Sequence, residues 1–325
     1  MIRGIVVSET GVELKELDEA FLGDGDVVVD VVYSDLNYKD ALAVTGKPGV
    51  VRTLPLVAGI DLVGRVVESG DPRWQAGDWI VQNGAGLSET KNGGFATRAR
   101  LDAKLAVGVP DGLSPESVAA LGTAGYTAAL SVLRIVSEGV LPSDGPVLVT
   151  GATGGVGSIA TMLLATAGFD VHASTGRVDR FGDYLQSLGA TEVVPRSDLE
   201  GRGKPLQKAQ YAGVVDSVGG EVLANAIART LPNGTVTACG LAGSIALPST
   251  VMPFILRGVT LAGIDSVWAP LEDRADAWRL LAKGIDVDQL DLMTSRVTLD
   301  EVIAAGQQLL DGERHGRTLV TIGGD

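Results

Sequence analysis

Residues 147–168 read VLVTGATGGVGSIATMLLATAG. Val147–Val149 form a short apolar run of the kind found in strands buried on both faces. Gly151, Gly154, Gly155 and Gly157 then supply a tight turn, and an Ala-rich amphipathic helix runs on to Gly168. A turn of this kind lets backbone N–H groups approach a pyrophosphate, whose charge the helix N-terminus favours. Thr153, Gly154, Gly155 and Val156 are therefore the predicted phosphate contacts. A glycine-rich turn alone is a weak signal, but here it follows a strand, opens a helix and leads to a second strand, DVHAS.

That second strand decides the cofactor. Its end is where a dinucleotide-binding fold usually places an acidic residue on the ribose 2′-hydroxyl, yet the chain runs Ser174-Thr175-Gly176-Arg177. A hydroxyl and a guanidinium suit a 2′-phosphate, so Thr175, Gly176 and Arg177 predict NADPH over NADH. Arg180 is a second cation nearby, of a kind more often simply solvated.

Beyond this unit, strands and helices alternate through TEVV, YAGVVDSVG, VLANAIART and GTVTACG, the pattern of a doubly wound parallel sheet. Upstream, IRGIVV, DVVVDVVYS, DLVGRVVES, DWIVQN and GGFATRARLD are short β-rich runs that predict an antiparallel barrel or sandwich. Between the two halves, SPESVAALGTAGYTAALSVLRIV carries a cap at Ser114, Pro115 at the first helical position and helical apolar spacing. It reads as one connecting helix. The fold class expected is α/β, with a β domain over 1–115 and 268–325 and a nucleotide domain over 116–267.

Composition narrows the function. The 325 residues carry a formal charge of −14, which leaves no global basic field for nucleic acid or anionic lipid. A single cysteine, Cys239, excludes a disulfide framework, and with two histidines, His172 and His315, most His-based catalytic and metal sites lack parts. The N-terminus lacks the apolar stretch of a signal peptide, and no uninterrupted apolar run has membrane-spanning length. A cytoplasmic protein is expected, with no nucleic-acid or membrane partner.

The stretch SDLNYKDALAVTGKPGVVRTLPLVAGIDLVG (34–64), together with TGATGGVG, STGR, ACGLAG and PFILRGVTLAGIDSV, resembles the medium-chain dehydrogenases/reductases across essentially the whole chain. More narrowly it is similar to their zinc-free, quinone-oxidoreductase-like branch, and within that to the acryloyl-CoA reductase group, which uses NADPH. The resemblance implies a GroES-like β domain with a Rossmann-type domain inserted, and a homodimer in which LPSTVMPFILRGVTLAGI extends the sheet across the dimer axis. Where zinc-containing relatives have a Cys ligand this chain reads Leu36-Asn37-Tyr38-Lys39-Asp40, and where they have Gly-His-Glu it reads Gly59-Ile60-Asp61. No metal is expected. The resemblance also implies cofactor contacts at Tyr38, Ser217, Gly240, Leu261 and Arg317.

Without a metal to polarise an oxygen, hydride addition to an electron-poor C=C bond is the expected chemistry. Negative charge then develops on the carbonyl oxygen, so the site needs a hydrogen-bond donor there and a proton for the α-carbon. Tyr38 is the first choice as hydroxyl donor or nicotinamide contact, Asn37 a second donor, and Asp61 the residue at the relatives' Glu position. Asp61 reads equally as a buried carboxylate paired with an arginine, and Asp40 as a helix cap. The substrate implied is a small enoyl-CoA thioester, whose phosphates would need local cations such as Lys47, Arg52 or Lys91. Two other readings share the cradle: a quinone reductase, and a non-catalytic NADPH-binding protein.

Overall fold

The computed structural model describes residues 1–323 and divides into two compact units. The first comprises Met1–Thr123, Ser266–Ala282 and the chain from Val287, and the second Ala124–Asp265 with Lys283–Asp286.

In the first unit the strand Val27–Asp35 lies at the centre of a sheet, paired antiparallel with Asp61–Ser69, Arg98–Leu101 and Arg317–Thr321. Trp79–Asn83 and then Val107–Gly108 extend one side. The other edge departs from the antiparallel expectation, since Thr294–Thr298 pairs parallel with Arg317–Thr321, joined by the helix Val302–Leu310. A crossover helix is what permits parallel neighbours. Alternation along these strands buries Val27, Val29, Val31, Leu62, Val66 and Ile80 in one cluster. A hairpin, Ile2–Ser8 with Gly11–Leu17, packs beside them. Its second strand, GVELKEL, sets Glu13, Lys15 and Glu16 among Val12, Leu14 and Leu17, so its apolar signal is interrupted.

The second unit holds six strands, all parallel, in the order 192–195, 171–175, 147–149, 211–216, 230–238, 260–263. The central strands are apolar and fully buried, as helices on both faces require. The edge strand Thr260–Gly263 and the helix before it, Met252–Arg257, expose Ile255 and Leu256.

The connecting segment Pro115–Ser137 is not one regular helix. Gly122 breaks it with φ +49°, ψ −155°, and only glycine fits there, since a Cβ would overlap the carboxylate of Asp35. This is also the one described helix long and apolar enough to cross a bilayer, and 78% of that window is buried within the protein.

Candidate active site

In the first unit, the helix Tyr38–Val44 begins directly after the central strand Val27–Asp35. Asn37 is its N-cap, and the Asp40 carboxylate reaches back to accept from Asn37 N at 2.9 Å. Asp40 also accepts from Ile60 N (2.8 Å) and from the Asn37 amide (3.1 Å). The capping expectation for Asp40 thus describes its contacts. Despite these donors, burial and the nearby charge of Asp61 push the Asp40 carboxyl up to about 7.

Asp61 opens the strand Asp61–Ser69 and is buried. Four donors surround it: Asn37 Nδ2 (2.8 Å) and Thr123 N (2.8 Å) on Oδ2, Asn83 Nδ2 (2.7 Å) and Thr123 Oγ1 (2.5 Å) on Oδ1. The break at Gly122 directs the Thr123 N–H to this carboxylate. The arginine-paired alternative for Asp61 is therefore corrected. It is Asp35, one strand over and fully buried, that pairs with Arg317. Burial first, and the charge of Asp61 second, hold the Asp35 carboxyl well above the usual carboxylate range.

Two further expectations are corrected here. Asn37 has two amide hydrogens, and they go to Asp40 and Asp61, while its Oδ1 faces the Arg317 guanidinium at 3.4 Å. It has no donor left for a substrate carbonyl. Arg317, expected as a cofactor contact, is 3% exposed and donates to Asp35, to Ala120 O (2.6 Å) and toward Asn37. Its charge is spent inside the first unit. Tyr38, by contrast, stands at the first position of its helix with 47% of its surface exposed. Its neighbour Lys39 pairs with the buried Glu89, which fixes the loop beyond the strand Trp79–Asn83.

Zinc does not fit this site. The Asp61 oxygens already face four donors, and among the described residues no group of three or more His, Cys, Asp or Glu side chains could hold a metal ion.

The cradle lies in the second unit, at the C-terminal ends of its parallel strands, where open α/β sheets bind ligands. Asp216 ends the strand 211–216, fully buried, and burial raises its carboxyl. It accepts from Thr150 Oγ1 (2.6 Å) and Gly219 N (2.8 Å), tying together the turns after two adjacent strands. Ser217 Oγ donates to Thr150 O at 3.1 Å across the same seam. Gly151 has φ +61°, and a Cβ on it would lie 2.5 Å from Ser217 Oγ. The turn leads through Thr153 and Gly154 into the helix Gly155–Thr166, whose first turn, with Val156, holds no acidic residue. Gly240 is pressed against the Ser217 backbone. Leu261 instead packs against the hydrophobic cluster around Val236 and Val259, so it contributes core contact.

At the end of the strand 171–175, Thr175 Oγ1 accepts from Arg177 N at 3.2 Å. Arg177 and Arg180 both lie over the Phe181 ring, at 4.6 and 4.9 Å from its centroid. Sequence reasoning missed a third cation. Arg196 follows the neighbouring strand, where Thr175 pairs with Pro195, and its guanidinium lies so close to Gly176 that a Cβ there would be 2.9 Å from Cζ. Burial and the charges of Arg180 and Arg196 lower the Arg177 pKa. Parallel register was the available signal, because it brings the residues after adjacent strands together. Arg177 and Arg196 flank Gly176 and Arg180 shares the Phe181 ring with Arg177, so like charges held this close fit a phosphate-bearing ligand and not a bare ribose.

Comparison with known proteins agrees with this architecture. Residues 23–111 match the alcohol dehydrogenase GroES-like domain and residues 155–283 the zinc-binding dehydrogenase family. The acrylyl-CoA reductase AcuI of Ruegeria pomeroyi is 43% identical over 315 residues, which span 97% of this chain and 95% of that protein. The yhdH oxidoreductase of Salmonella enterica, solved in complex with NADP, superposes with a TM-score of 0.96 at 43% identity, covering 99% of this chain and 100% of that one. The Bacillus subtilis protein yhfP, solved with NAD bound, gives a TM-score of 0.94 at 40% identity over 98% of this chain and 99% of that one.

Proposed function

Because this chain belongs to the zinc-free, quinone-oxidoreductase-like branch of the medium-chain dehydrogenases/reductases, we propose that it is an NADPH-dependent reductase of activated C=C bonds, converting acryloyl-CoA to propanoyl-CoA. The observation that carries this reading is the contrast within the first unit. Asn37, Asp40, Asp61 and Arg317 are locked in a buried network, whereas the hydroxyl-bearing Tyr38 is exposed on top of it. NADPH, when bound, supplies the hydride that adds to the β-carbon.

Thr175, Gly176, Arg177 and Arg196 hold the 2′-phosphate of that cofactor, and the turn Thr153–Val156 holds its pyrophosphate. Ser217 and Gly240 shape the rim beside it. In the first unit, the Asn37–Asp40–Asp61 network fixes the start of the helix, so that the Tyr38 hydroxyl is pre-positioned toward the thioester carbonyl. A hydrogen bond from Tyr38 Oη to that oxygen strengthens as enolate charge develops there, which is the condition for lowering a barrier. The α-carbon takes its proton from solvent. Exposed Lys47, Arg52 and Lys91 lie in loops of the same unit and suit the phosphates of the CoA moiety. The exposed apolar surface of Ile255 and Leu256 beside the edge strand Thr260–Gly263 supports a homodimer, and a cytoplasmic location fits the chemistry.

The test is NADPH oxidation with acryloyl-CoA, crotonyl-CoA, a benzoquinone and an enal. Turnover fastest with acryloyl-CoA is expected. Preference for the quinone assigns the branch's other activity, and no turnover with any acceptor assigns a binding protein.

A further inference from the structure

The loop after the strand Trp79–Asn83 is sharply folded. Ala85 (φ +56°) and Ser88 (φ +63°), two of the three non-glycine residues with positive φ among the described residues, both fall in it. Gly86 O accepts from the N–H groups of Glu89, Thr90 and Lys91, at 3.2, 3.0 and 3.0 Å. Ser88 is fully buried with no partner for its hydroxyl. Left-handed backbone on residues that carry a Cβ, and an orphaned buried hydroxyl, each cost stability, so this shape is kept for what it delivers.

What it delivers is Glu89. This glutamate is 8% exposed, and its carboxylate pairs with Lys39, the residue after Tyr38. Its backbone O accepts from Arg52 N (2.8 Å) and Thr53 N (3.1 Å). Glu89 therefore joins three segments of the first unit: the Tyr38 helix, the stretch at 52–53 and its own loop. A carboxylate is seldom buried unless paired, and the partner here is a half-buried lysine whose ammonium can meet water on its own. A buried acid is not needed to satisfy that charge. What the pair adds is a fixed place for Lys39.

We propose that Glu89 is a positioning residue that holds Tyr38 in its working orientation through Lys39. This rests on the reading of Tyr38 given above. The helix Tyr38–Val44 has only seven residues, and the Asn37–Asp40 box, together with Asp61, fixes the point at which it starts. Successive residues on a helix project about 100° apart. A tether on Lys39 therefore acts on a different side of the first turn from the one that carries Tyr38, and it fixes the rotation of that turn about the helix axis as the cap fixes its origin. A small error in that rotation moves the hydroxyl at the tip of a tyrosine much further than it moves the backbone.

The experiment is a double-mutant cycle in kcat for acryloyl-CoA across wild type, Glu89→Leu, Tyr38→Phe and the pair, with Tm and NADPH affinity measured on the same preparations. Glu89→Leu should lower kcat about tenfold to 100-fold, the scale of a misplacement of about an ångström or less, and Glu89→Gln, which keeps an acceptor for Lys39, should recover most of that loss. In the Tyr38→Phe background, Glu89→Leu should change kcat less than about twofold, because the group it positions is already gone. A role confined to stability would multiply in full with Tyr38→Phe, and such additivity overturns the proposal, as does wild-type kcat in a folded Glu89→Leu enzyme. Should Glu89→Leu not fold, Glu89→Gln carries the same cycle at a smaller loss. A second arm needs no turnover: amide hydrogen exchange in residues 38–44 should quicken about tenfold in Glu89→Leu, while the strand Val147–Val149 keeps its wild-type protection. Unchanged exchange in 38–44 overturns the proposal as well. Faster exchange there, in a series that reduces no thioester or in which Tyr38→Phe is fully active, upholds the tether and sinks the role assigned to Tyr38, so the two failures are separable.

Discussion

Asn37→Leu separates a residue that positions the site from one that touches substrate. The substitution keeps the volume near constant and removes two amide hydrogens, one from Asp40 and one from Asp61. Asp61 retains Asn83 and Thr123, and Asp40 retains the backbone N–H groups of Asn37 and Ile60, so neither carboxylate is orphaned. A hydrogen bond to a charged group contributes roughly 1.5–3 kcal/mol, and because both lie in one network the two do not simply add. A loss of about 2–5 kcal/mol follows, or roughly 4–20 °C in Tm at about 2–4 °C per kcal/mol. Thermal unfolding, steady-state kinetics and NADPH titration on one preparation make the assay. Turnover should fall together with stability, while NADPH affinity at the cradle, which lies in the other unit, stays near wild type. Lost turnover with an unchanged Tm would refute the reasoning, because it would mean that an Asn37 hydrogen is reserved for substrate.

Three other outcomes follow. Tyr38→Phe should lower kcat about 100-fold to 1000-fold, the scale of one lost donor to a developing oxyanion, with Tm and NADPH affinity unchanged; full activity would remove the hydroxyl from the mechanism. Arg177→Ala should weaken NADPH binding by roughly tenfold, at the lower end for a charged hydrogen bond because Arg180 and Arg196 remain, and leave NADH binding unmoved; an equal loss for both nucleotides would place Arg177 elsewhere on the cofactor. The third concerns pH. Asp40 titrates near 7 in the folded chain and near 3.8 as a free side chain, so the native state holds the extra proton between these values. Its stabilising contribution is present in acid and lost as pH rises through about 7, and Asp40→Asn should flatten this fall in Tm between about pH 4 and 7; parallel profiles for variant and wild type would assign the pH dependence to other groups.

The cradle was legible in the sequence because its chemistry is backbone chemistry on contiguous residues. Gly151 to Gly157 and Ser174 to Arg177 each form one turn, and what they do follows from where strands end. The network under Tyr38 was legible only in part. Asn37, Tyr38, Asp40 and Asp61 stood out as polar residues in an apolar frame, but their roles depend on Asn83, Thr123 and Arg317, brought in by strand pairing and by a helix break. Nothing local announces that Gly122 must bend for Asp35, or that Arg317 reaches that carboxylate from the last strand. Arg196 was missed for the same reason, since it joins the phosphate rim through the register of the neighbouring strand. The hairpin strand GVELKEL and the parallel edge pair Thr294–Thr298 with Arg317–Thr321 show the limit again, because partner identity decides both.

The central claim is hydride delivery from NADPH to the β-carbon of an enoyl thioester, with the α-proton from solvent. Cofactor stereospecifically deuterated at C4 of the nicotinamide, one epimer at a time, should test it with acryloyl-CoA in ordinary water. The propanoyl-CoA formed from one of the two epimers should carry a single deuterium at C3 and none at C2, and the reaction in heavy water with unlabelled NADPH should place it at C2 alone. Deuterium at C2 from the cofactor, or no label in the product from either epimer, would contradict the account.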